Sequence, residues 1–250
     1  VVKNVTGFDM MRLYHGSLGT LGVIVSANFK VLPRPRAERT CFTRHDSIEQ
    51  ALAASRQLLG LRGRPVAMEI MQSPDRAGWL LAARYEGRDG TVRLMIDEAG
   101  TAIGAAERTL EGAESAAWWQ EYVDFYSSGV TADRVVVRLS TRPRAVPELA
   151  QSVQAAMSGV SGGAIRISPG LGRVDVAAPE ASIPADRRDS WLVELGKRAT
   201  TCLLYDAPPA WKDERDVCGP QPETIDLMRS LKEQFDPGRV INPGRFAGYI

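Results

Sequence analysis

Three glycines near the start of the chain are the residues whose type and spacing most directly suggest ligand chemistry. Gly16, Gly19 and Gly22 recur at intervals of three in the segment GSLGTLGVIV, which spans residues 16–25. Positions without a side chain permit tight turns and let backbone N–H groups reach phosphate or ring heteroatoms directly. The pattern is not GxGxxG, and it precedes a predicted strand instead of joining a strand to a helix, so a Rossmann site is excluded.

Histidines and cysteines, the other candidates for metal or catalytic chemistry, are few and scattered. His15 and His45 are the two histidines, and no third ligand accompanies them at a metal-binding spacing. Cys41, Cys202 and Cys218 form no CxxC pair, so neither a zinc site nor an iron–sulfur cluster is predicted. We therefore expect no metal. Unpatterned cysteines without a signal peptide favour a reducing compartment, and we expect a cytoplasmic protein.

Composition indicates an ordinary globular protein and excludes two classes of partner. The chain has 250 residues, of which 44% are hydrophobic and 24% charged, and its net charge is +1. This charge is too small to attract nucleic acid or an acidic membrane surface, and no apolar run approaches the length of a membrane span. The sequence begins VVKN, without an initiating methionine and within a predicted strand. We therefore interpret it as a fragment.

Glycine, proline and hydrophobic patterns divide the chain into three segments. Residues 1–36 are rich in glycine and β-branched residues, with a strand predicted over Val23–Val31 and a stiff linker in the closing LPRPR. Residues 37–206 alternate between strands and helices. Residues 207–250 contain a helix predicted over about Glu223–Phe235, with apolar residues at helical spacing and a Pro-Gly stop.

The middle segment repeats one order of elements, strand–helix–strand–strand–helix. The first copy comprises strand Arg39–Arg44, a helix opened by Asp46 or Ser47 and ending at Gly60, strands Val66–Met71 and Gly78–Tyr85, a helix from about Gly90 to Leu110, and an aromatic-rich helix around residues 113–126. The second comprises strand Arg134–Ser140, helix Val146–Met157, strands Ala164–Ser168 and Arg173–Ala177, helix Pro184–Arg198 and strand Thr201–Tyr205. This order predicts a duplicated ferredoxin-like lobe with one antiparallel sheet and helices on one face.

The two ends of the chain carry the most specific motifs. VVKNVTGFDMMRLYHGSLGTLGVI at one end and LKEQFDPGRVINPGRF at the other resemble the flavin-linked oxidases of the vanillyl-alcohol oxidase superfamily, with the FAD-binding subunits of bacterial glycolate oxidases as the most similar group. The resemblance implies an α+β fold. Residues 1–36 would be the C-terminal part of a PCMH-type FAD-binding domain, residues 37–206 a ferredoxin-like cap, and residues 207–250 a tail that returns to the FAD-binding domain.

The same resemblance implies the residues that would contact FAD. Those that match the family's FAD groove and glycine turn are Lys3, Asn4, Gly7, Ser17, Gly19, Thr20, Gly22, Val23 and Ile24, and the matching tail asparagine is Asn242. The departures from the family pattern are Phe8 for tyrosine, Val25 for threonine and Cys218 for tryptophan. The smaller Cys218 side chain would alter packing on the substrate side more than flavin binding.

The function implied by the resemblance is oxidation of a small 2-hydroxy acid, such as glycolate, by hydride transfer to FAD. Its partners would be other subunits of an oxidase complex, carrying flavin and iron–sulfur centres, with membrane association through them as an alternative location. A second hypothesis is a non-catalytic scaffold or electron-relay subunit, because no histidine or carboxylate cluster suggests a base and the family's metal-binding histidine signature is absent from the cap. A third is a ligand-binding module without flavin.

Several residues keep two interpretations, and no catalytic residue is assigned. His15 is either a flavin-linking or proton-shuttling residue or a polar side chain beside a turn. Lys3 is either a flavin contact or a charge at a strand edge, and Arg245 either orients a carboxylate or is an exposed tail residue. Trp118 and Trp119 belong to a cap core or a subunit interface, or else to a substrate cage.

The family's first pyrophosphate-binding loop lies upstream of residue 1. We therefore expect the 250-residue chain to bind FAD weakly or not at all, whereas its parent protein binds it well. Each lost charge-assisted hydrogen bond removes roughly 1.5–3 kcal/mol. The apolar surface that the upstream half would cover, including Val23 and Ile24, is then expected to be exposed.

Overall fold

A computed structural model of the chain describes residues 7, 9–72, 78–124, 133–213 and 215–250. The chain forms two compact units: unit 1 consists of Val1–Pro33 with Lys212–Ile250, and unit 2 of Arg34–Trp211. The assignment of these units to an FAD-binding part and a cap stays a prediction. Within the described ranges, no helix is both long enough and apolar enough to cross a membrane.

The described helices and strands follow the predicted order with a few exceptions. The helices are α1 Met10–Tyr14, α2 Ile48–Gly60, α3 Asp89–Ile103, α4 Gly112–Asp124, α5 Val146–Ala156, α6 Arg188–Gly196 and α7 Ile225–Phe235. The strands are β1 Ala37–His45, β2 Ala67–Gln72, β3 Trp79–Gly87, β4 Arg108–Glu111, β5 Arg134–Ser140, β6 Ala164–Ser168, β7 Arg173–Pro179 and β8 Thr201–Asp206.

Unit 2 is built on one antiparallel sheet. Its eight described strands lie in the order β4-β1-β3-β2-β6-β7-β5-β8. Each half of this order has the strand arrangement of a ferredoxin-like unit, and the halves join where β2 pairs with β6 through Ile70 opposite Ile167 and Met71 opposite Arg166. The predicted fold class, α+β with a duplicated ferredoxin-like lobe and an antiparallel sheet, is confirmed.

Helices cover both faces of the sheet, so the expectation of helices on one face is wrong. Cys41 and Phe42 are neighbours in β1 and point to opposite faces. On the Cys41 face lie residues of α2 and α3, including Leu58 and Ile96. On the Phe42 face, α4 packs its aromatic side chains against the sheet, in a cluster of Phe42, Ala82, Leu110, Trp119 and Tyr122. Burial of these apolar strand positions explains why α4 occupies the second face.

Local capping and stop signals set the helix ends in unit 2. Ser47 caps α2, because its Oγ accepts the Gln50 N–H at 3.3 Å. The helix predicted from Gly90 to Leu110 instead stops at Gly104, whose φ of +93° is a conformation that residues with a Cβ rarely adopt. The residues beyond Gly104 then form β4, a strand that was not predicted. Similarly, α6 starts at Arg188 after a 3₁₀ turn, four residues later than expected from Pro184.

Unit 1 has little regular structure in its described part. The strand predicted over Val23–Val31 is not observed, and these residues are irregular and exposed, Val25 to 92%. An extended segment needs a neighbouring strand to pair its backbone groups, and no described strand offers one here. The short helix α1 was not predicted. Tyr14 at its end packs edge-to-face on Phe235 of α7, with ring centroids 5.9 Å apart.

Candidate functional site

The glycine turn, residues 16–22, is shaped by its own hydroxyl side chains. Ser17 Oγ donates to the Tyr14 carbonyl at 2.9 Å, and Thr20 Oγ1 donates to the Ser17 carbonyl at 2.8 Å. Both side chains are buried. The hydroxyl groups of Ser17 and Thr20 therefore brace the backbone of the turn, and the predicted contact of these two residues with the cofactor stays a prediction.

The tail asparagine packs directly on this turn. Asn242 Nδ2 donates to the Leu18 carbonyl at 3.0 Å. A Cβ on Gly19 would come within 2.8 Å of the same nitrogen, and Gly19 has a φ of +73°. Leu18 and Asn242 also have positive φ values, +52° and +44°, which side-chain-bearing residues adopt at an energetic cost. Glycine is thus favoured at position 19 both by the positive φ and by the close approach of the Asn242 side chain.

The turn offers backbone donors that are not used within the described part of the chain. The N–H groups of Leu18, Gly19, Leu21 and Gly22 have no acceptor among the described residues. Unpaired backbone N–H groups beside glycines can donate to an anionic or heteroatom-rich ligand. These unpaired N–H groups are the feature of the turn that suits a heteroatom-rich cofactor such as FAD, and the predicted contacts themselves stay predictions.

The other predicted cofactor residues are not all brought to this place. Lys3 and Asn4 lie outside the described residues. Gly7 has open space around its Cα, and a Cβ on Gly22 would contact the Tyr14 ring at 3.3 Å. Val23 and Ile24 follow the turn and are exposed, Val23 to 78% and Ile24 to 66%. Their predicted roles stay predictions.

A buried ion pair ties the turn to the tail. Lys232 in α7 is 3% exposed, and its Nζ donates to the Thr20 carbonyl at 2.7 Å, to the Ile241 carbonyl at 2.8 Å and to Asp236 Oδ2 at 2.6 Å. Asp236 in turn accepts the N–H groups of Val240 and Ile241. The hydrogen bond from Lys232 is the main cause that lowers the pKa of Asp236 below its ordinary value.

An apolar groove runs beside the turn within unit 1. Its volume is about 320 Å³, and its walls include His15 and Leu21 from the turn region, Met228 and Leu231 from α7, and Phe246 from the tail. His15 is exposed and has no described side-chain hydrogen bond, which favours its interpretation as a polar residue beside a turn. Arg245 is likewise exposed.

A second polar cluster lies in unit 2, where the two halves of the sheet meet. We name Glu69, Tyr122, Ser168 and Arg173 the seam cluster. Glu69 Oε2 accepts from Tyr122 Oη at 2.8 Å and from Ser168 Oγ at 2.7 Å, and Glu69 is 7% exposed. Arg173 donates from Nη2 to Ser168 Oγ at 3.2 Å and pairs with Asp175. The cluster joins α4 to strands from both halves.

Burial gives Glu69 unusual acid–base properties. Removal from water raises its pKa above the ordinary glutamate value, and hydrogen bonds from Ser168 and Tyr122 and the charge of Arg173 act in the opposite direction. A carboxyl group with a raised pKa can hold or release a proton closer to neutral pH than an exposed one. The seam cluster is therefore a candidate proton-exchanging group, or else a polar joint between the sheet halves.

Sequence reasoning missed both Lys232 and the seam cluster, and for the seam cluster the reason lies in sequence separation. Glu69, Tyr122 and Ser168 are separated by about fifty residues each, and no local spacing connects them. The register of β2 against β6 places Glu69 beside Ser168, and this register is not encoded by either strand alone. The sequence therefore indicated no carboxylate cluster, although the folded sheet buries Glu69 among three polar neighbours and Asp175 beside Arg173.

The two tryptophans with two interpretations, and His45, are in structural positions. Trp119 is buried in the α4 cluster, and its Nε1 donates to Thr40 Oγ1 at 2.7 Å, so it belongs to a core. Trp118 packs against the same cluster. His45 Nε2 lies 3.0 Å from Thr43 Oγ1, and burial lowers the pKa of its imidazole. Within the described residues, no group of three histidine, cysteine or acidic side chains is arranged to hold a metal ion.

Comparison with known sequences gives a match to one family and matches to glycolate oxidase subunits. Residues 220–246 match the family of FAD linked oxidases, C-terminal domain. Over 122 residues the chain is 34% identical to the glycolate oxidase subunit GlcE of Escherichia coli (strain K12), which covers 48% of this chain and 30% of that protein. Over 74 residues it is 30% identical to the glycolate oxidase subunit GlcD of Bacillus subtilis (strain 168), covering 30% of this chain and 16% of that protein.

Comparison with solved structures extends the likeness to the fold. A structure of alkyldihydroxyacetonephosphate synthase matches 96% of this chain with a TM-score of 0.61 and 17% sequence identity, and the match covers 50% of that structure. At this identity the likeness concerns the fold alone. The chain thus spans about half the length of this structure and less than a third of the two glycolate oxidase subunits.

Proposed function

We propose that this chain forms part of an FAD-dependent oxidoreductase acting on a small 2-hydroxy acid such as glycolate. The match of residues 220–246 to the FAD linked oxidases, C-terminal domain, supports FAD as the cofactor. The matches to glycolate oxidase subunits support the substrate class. The observation that carries the proposal is the contact of Asn242 with Leu18 and Gly19, because it joins two motifs separated by 224 residues in sequence.

The residues of unit 1 would act by binding and orientation. FAD, when bound, supplies the group that accepts a hydride from the alcohol carbon of the substrate. The unpaired N–H groups of Leu18, Gly19, Leu21 and Gly22 would donate to cofactor heteroatoms, and Asn242 would fix the conformation of the turn that aims them. Lys3, Asn4 and Gly7 are proposed to contact FAD as well, together with the backbone of Val23 and Ile24.

A matched pair of glycine variants tests the cofactor site in the full-length protein. Gly19→Ala introduces a Cβ against Asn242, whereas Gly16→Ala has a similar positive φ of +86° but open space around it. We expect Gly19→Ala to weaken FAD binding by at least about tenfold, equivalent to about 1.4 kcal/mol, and Gly16→Ala to weaken it less. Titration followed by flavin fluorescence gives both constants. Equal losses would mean that the Asn242 contact plays no part in binding.

Substrate oxidation needs its own measurement. The purified full-length protein should show the flavin absorbance band at about 450 nm, which is a property of the cofactor, and glycolate should bleach it without oxygen. A colourless protein that takes up no FAD would overturn the proposal. Bleaching by no 2-hydroxy acid, in a protein that does bind FAD, would overturn the substrate class.

A second candidate function is a flavin-containing subunit that does not itself react with substrate. It is favoured by the match to GlcE, because that relative is named as one subunit of an oxidase. In this case flavin and iron–sulfur subunits would be partners of the full-length protein. Turnover of glycolate by the isolated protein with a dye as electron acceptor would exclude this candidate, whereas turnover that requires added partner subunits would support it.

A further inference from the structure

The geometry points to Lys232 as a positioning residue: we propose that it holds the glycine turn and the Asn242 segment in the arrangement that binds FAD. The inference rests on the proposed function. The starting point is burial in α7. Among the described residues of this helix only Lys232 is buried, although the helix was predicted to bury its apolar residues. A lysine rarely occupies such a position unless its charge is paired.

The first argument is the completeness of its hydrogen bonding. An ammonium group has three N–H donors, and those of Lys232 reach three acceptors in three separate parts of unit 1. They are the Thr20 carbonyl in the turn, the Asp236 carboxylate at the end of α7, and the Ile241 carbonyl in the tail, at 2.7, 2.6 and 2.8 Å. One side chain therefore fixes the relative position of the turn and the tail.

The second argument is the position of strained backbone. Leu18 and Asn242 both have positive φ, and such conformations persist only where surrounding contacts impose them. Thr20 lies two residues after Leu18, and Ile241 immediately precedes Asn242. The bonds from Lys232 thus act next to each of the two strained residues that meet at the Asn242–Leu18 hydrogen bond.

The third argument concerns energetics. A buried ion pair is often no more stabilising than apolar residues of similar volume, because both charges must leave water. Unit 1 also has apolar residues available on α7, including Met228 and Leu231, which line the neighbouring groove. A buried lysine at this place is therefore better explained by the geometry that it specifies than by general stabilisation.

The experiment uses the full-length protein and compares Lys232→Met with Lys197→Met. Lys197 is an exposed lysine of unit 2 whose partner Glu194 lies 3.6 Å away, so it controls for loss of a lysine charge. We expect Lys232→Met to weaken FAD binding at least about tenfold and to shift the visible spectrum of the flavin that remains bound. Lys197→Met should leave both unchanged. An unchanged affinity and spectrum in Lys232→Met would overturn the inference.

A double variant separates positioning from a general loss of structure. If Lys232 acts through Asn242, then Asn242→Ala and Lys232→Met remove the same interaction. The affinity of the double variant for FAD should then equal that of the single variant that binds FAD less tightly. Additive losses would overturn the inference. Should Lys232→Met unfold unit 1, Lys232→Arg replaces it in the same cycle, with the same two outcomes.

Hydrogen exchange provides a readout that does not depend on the cofactor. In Lys232→Met the amide protons of Val240 and Ile241 should exchange faster while those in the middle of α7 stay protected. Unchanged protection would contradict the inference even if FAD binding fell. A wild-type protein that binds no FAD would instead overturn the proposed function, so the two failures are distinguishable.

Discussion

The two units of this protein are stabilised by different kinds of interaction. In unit 2, apolar side chains such as Leu139, Leu149 and Ile167 are completely buried between the sheet and its helices. In unit 1, the buried residues include Thr20, Lys232 and Asp236, whereas the apolar residues of α7 are half-buried or exposed. Unit 2 is therefore held mainly by hydrophobic packing, and the described part of unit 1 mainly by hydrogen bonds and the buried Lys232–Asp236 ion pair.

This difference teaches where a ligand site can be built. A packed core tolerates little irregular backbone, because buried N–H and C=O groups need partners in regular structure. Unit 1 contains positive-φ residues and unpaired N–H groups, and side chains that bond to backbone carbonyls keep this irregular backbone in place. The tryptophans offer a convenient probe of the contrast, because all five (Trp79, Trp118, Trp119, Trp191 and Trp211) belong to unit 2.

The largest effect is expected from truncating the core of unit 2. Leu149→Ala removes a side chain that is fully buried in α5, and such changes cost about 2–5 kcal/mol of unfolding free energy. Urea denaturation followed by tryptophan fluorescence measures this loss. Leu94→Ala, at a position that is 70% exposed, is the control and should cost much less. Equal losses would show that packing does not dominate in unit 2.

A smaller effect is expected at the end of α3, where two glycines have opposite roles. Gly104 has a φ of +93°, so Gly104→Ala should destabilise unit 2 by about 1–3 kcal/mol. Gly100 lies within the helix with open space around it, so Gly100→Ala should stabilise by about 0.5–1 kcal/mol. Thermal unfolding followed by tryptophan fluorescence distinguishes the two signs, and a stabilising Gly104→Ala would refute the assigned helix stop.

The smallest effect is a difference in response to acid. The pKa of Asp236 is lowered in the folded state, so its contribution to stability is present above the unfolded pKa and is lost as pH falls through the folded pKa. The pKa of Glu69 is raised, so stability falls as pH rises from the unfolded to the folded value. Acidification should therefore lower the stability of unit 1 through protonation of Asp236 and raise the stability of unit 2 through protonation of Glu69.

Two conservative variants test these opposite slopes. Asp236→Asn should flatten the acid dependence of hydrogen exchange at the Ile241 amide, which bonds to Asp236 Oδ2 at 2.9 Å. Glu69→Gln should gain stability relative to the wild type as pH rises, when tryptophan fluorescence reports the unfolding of unit 2. Slopes of the same sign in both units would contradict the assigned pKa directions.

Much of unit 2 could be predicted because its elements follow local rules. Hydrophobic periodicity and the Ser47 cap located α2, and the repeated order of elements indicated the duplicated lobe. The errors came from rules that compete locally: the apolar pattern after Gly90 extended a helix that Gly104 ends, and the alternation in Val23–Val31 suggested a strand that has no described partner. The face covered by α4 depends on which strand positions need burial, which only the assembled sheet specifies.

The sequence by itself determined the family resemblance, the order of strands and helices, and the two terminal motifs, because these depend on residue types at short spacing. The tertiary structure decided which polar groups are buried and paired. Charged residues are normally expected at the surface, so no local pattern marks Lys232 or Glu69 as interior. Their burial becomes possible only when distant segments supply partners, Thr20 and Ile241 for the lysine and Tyr122 and Ser168 for the glutamate.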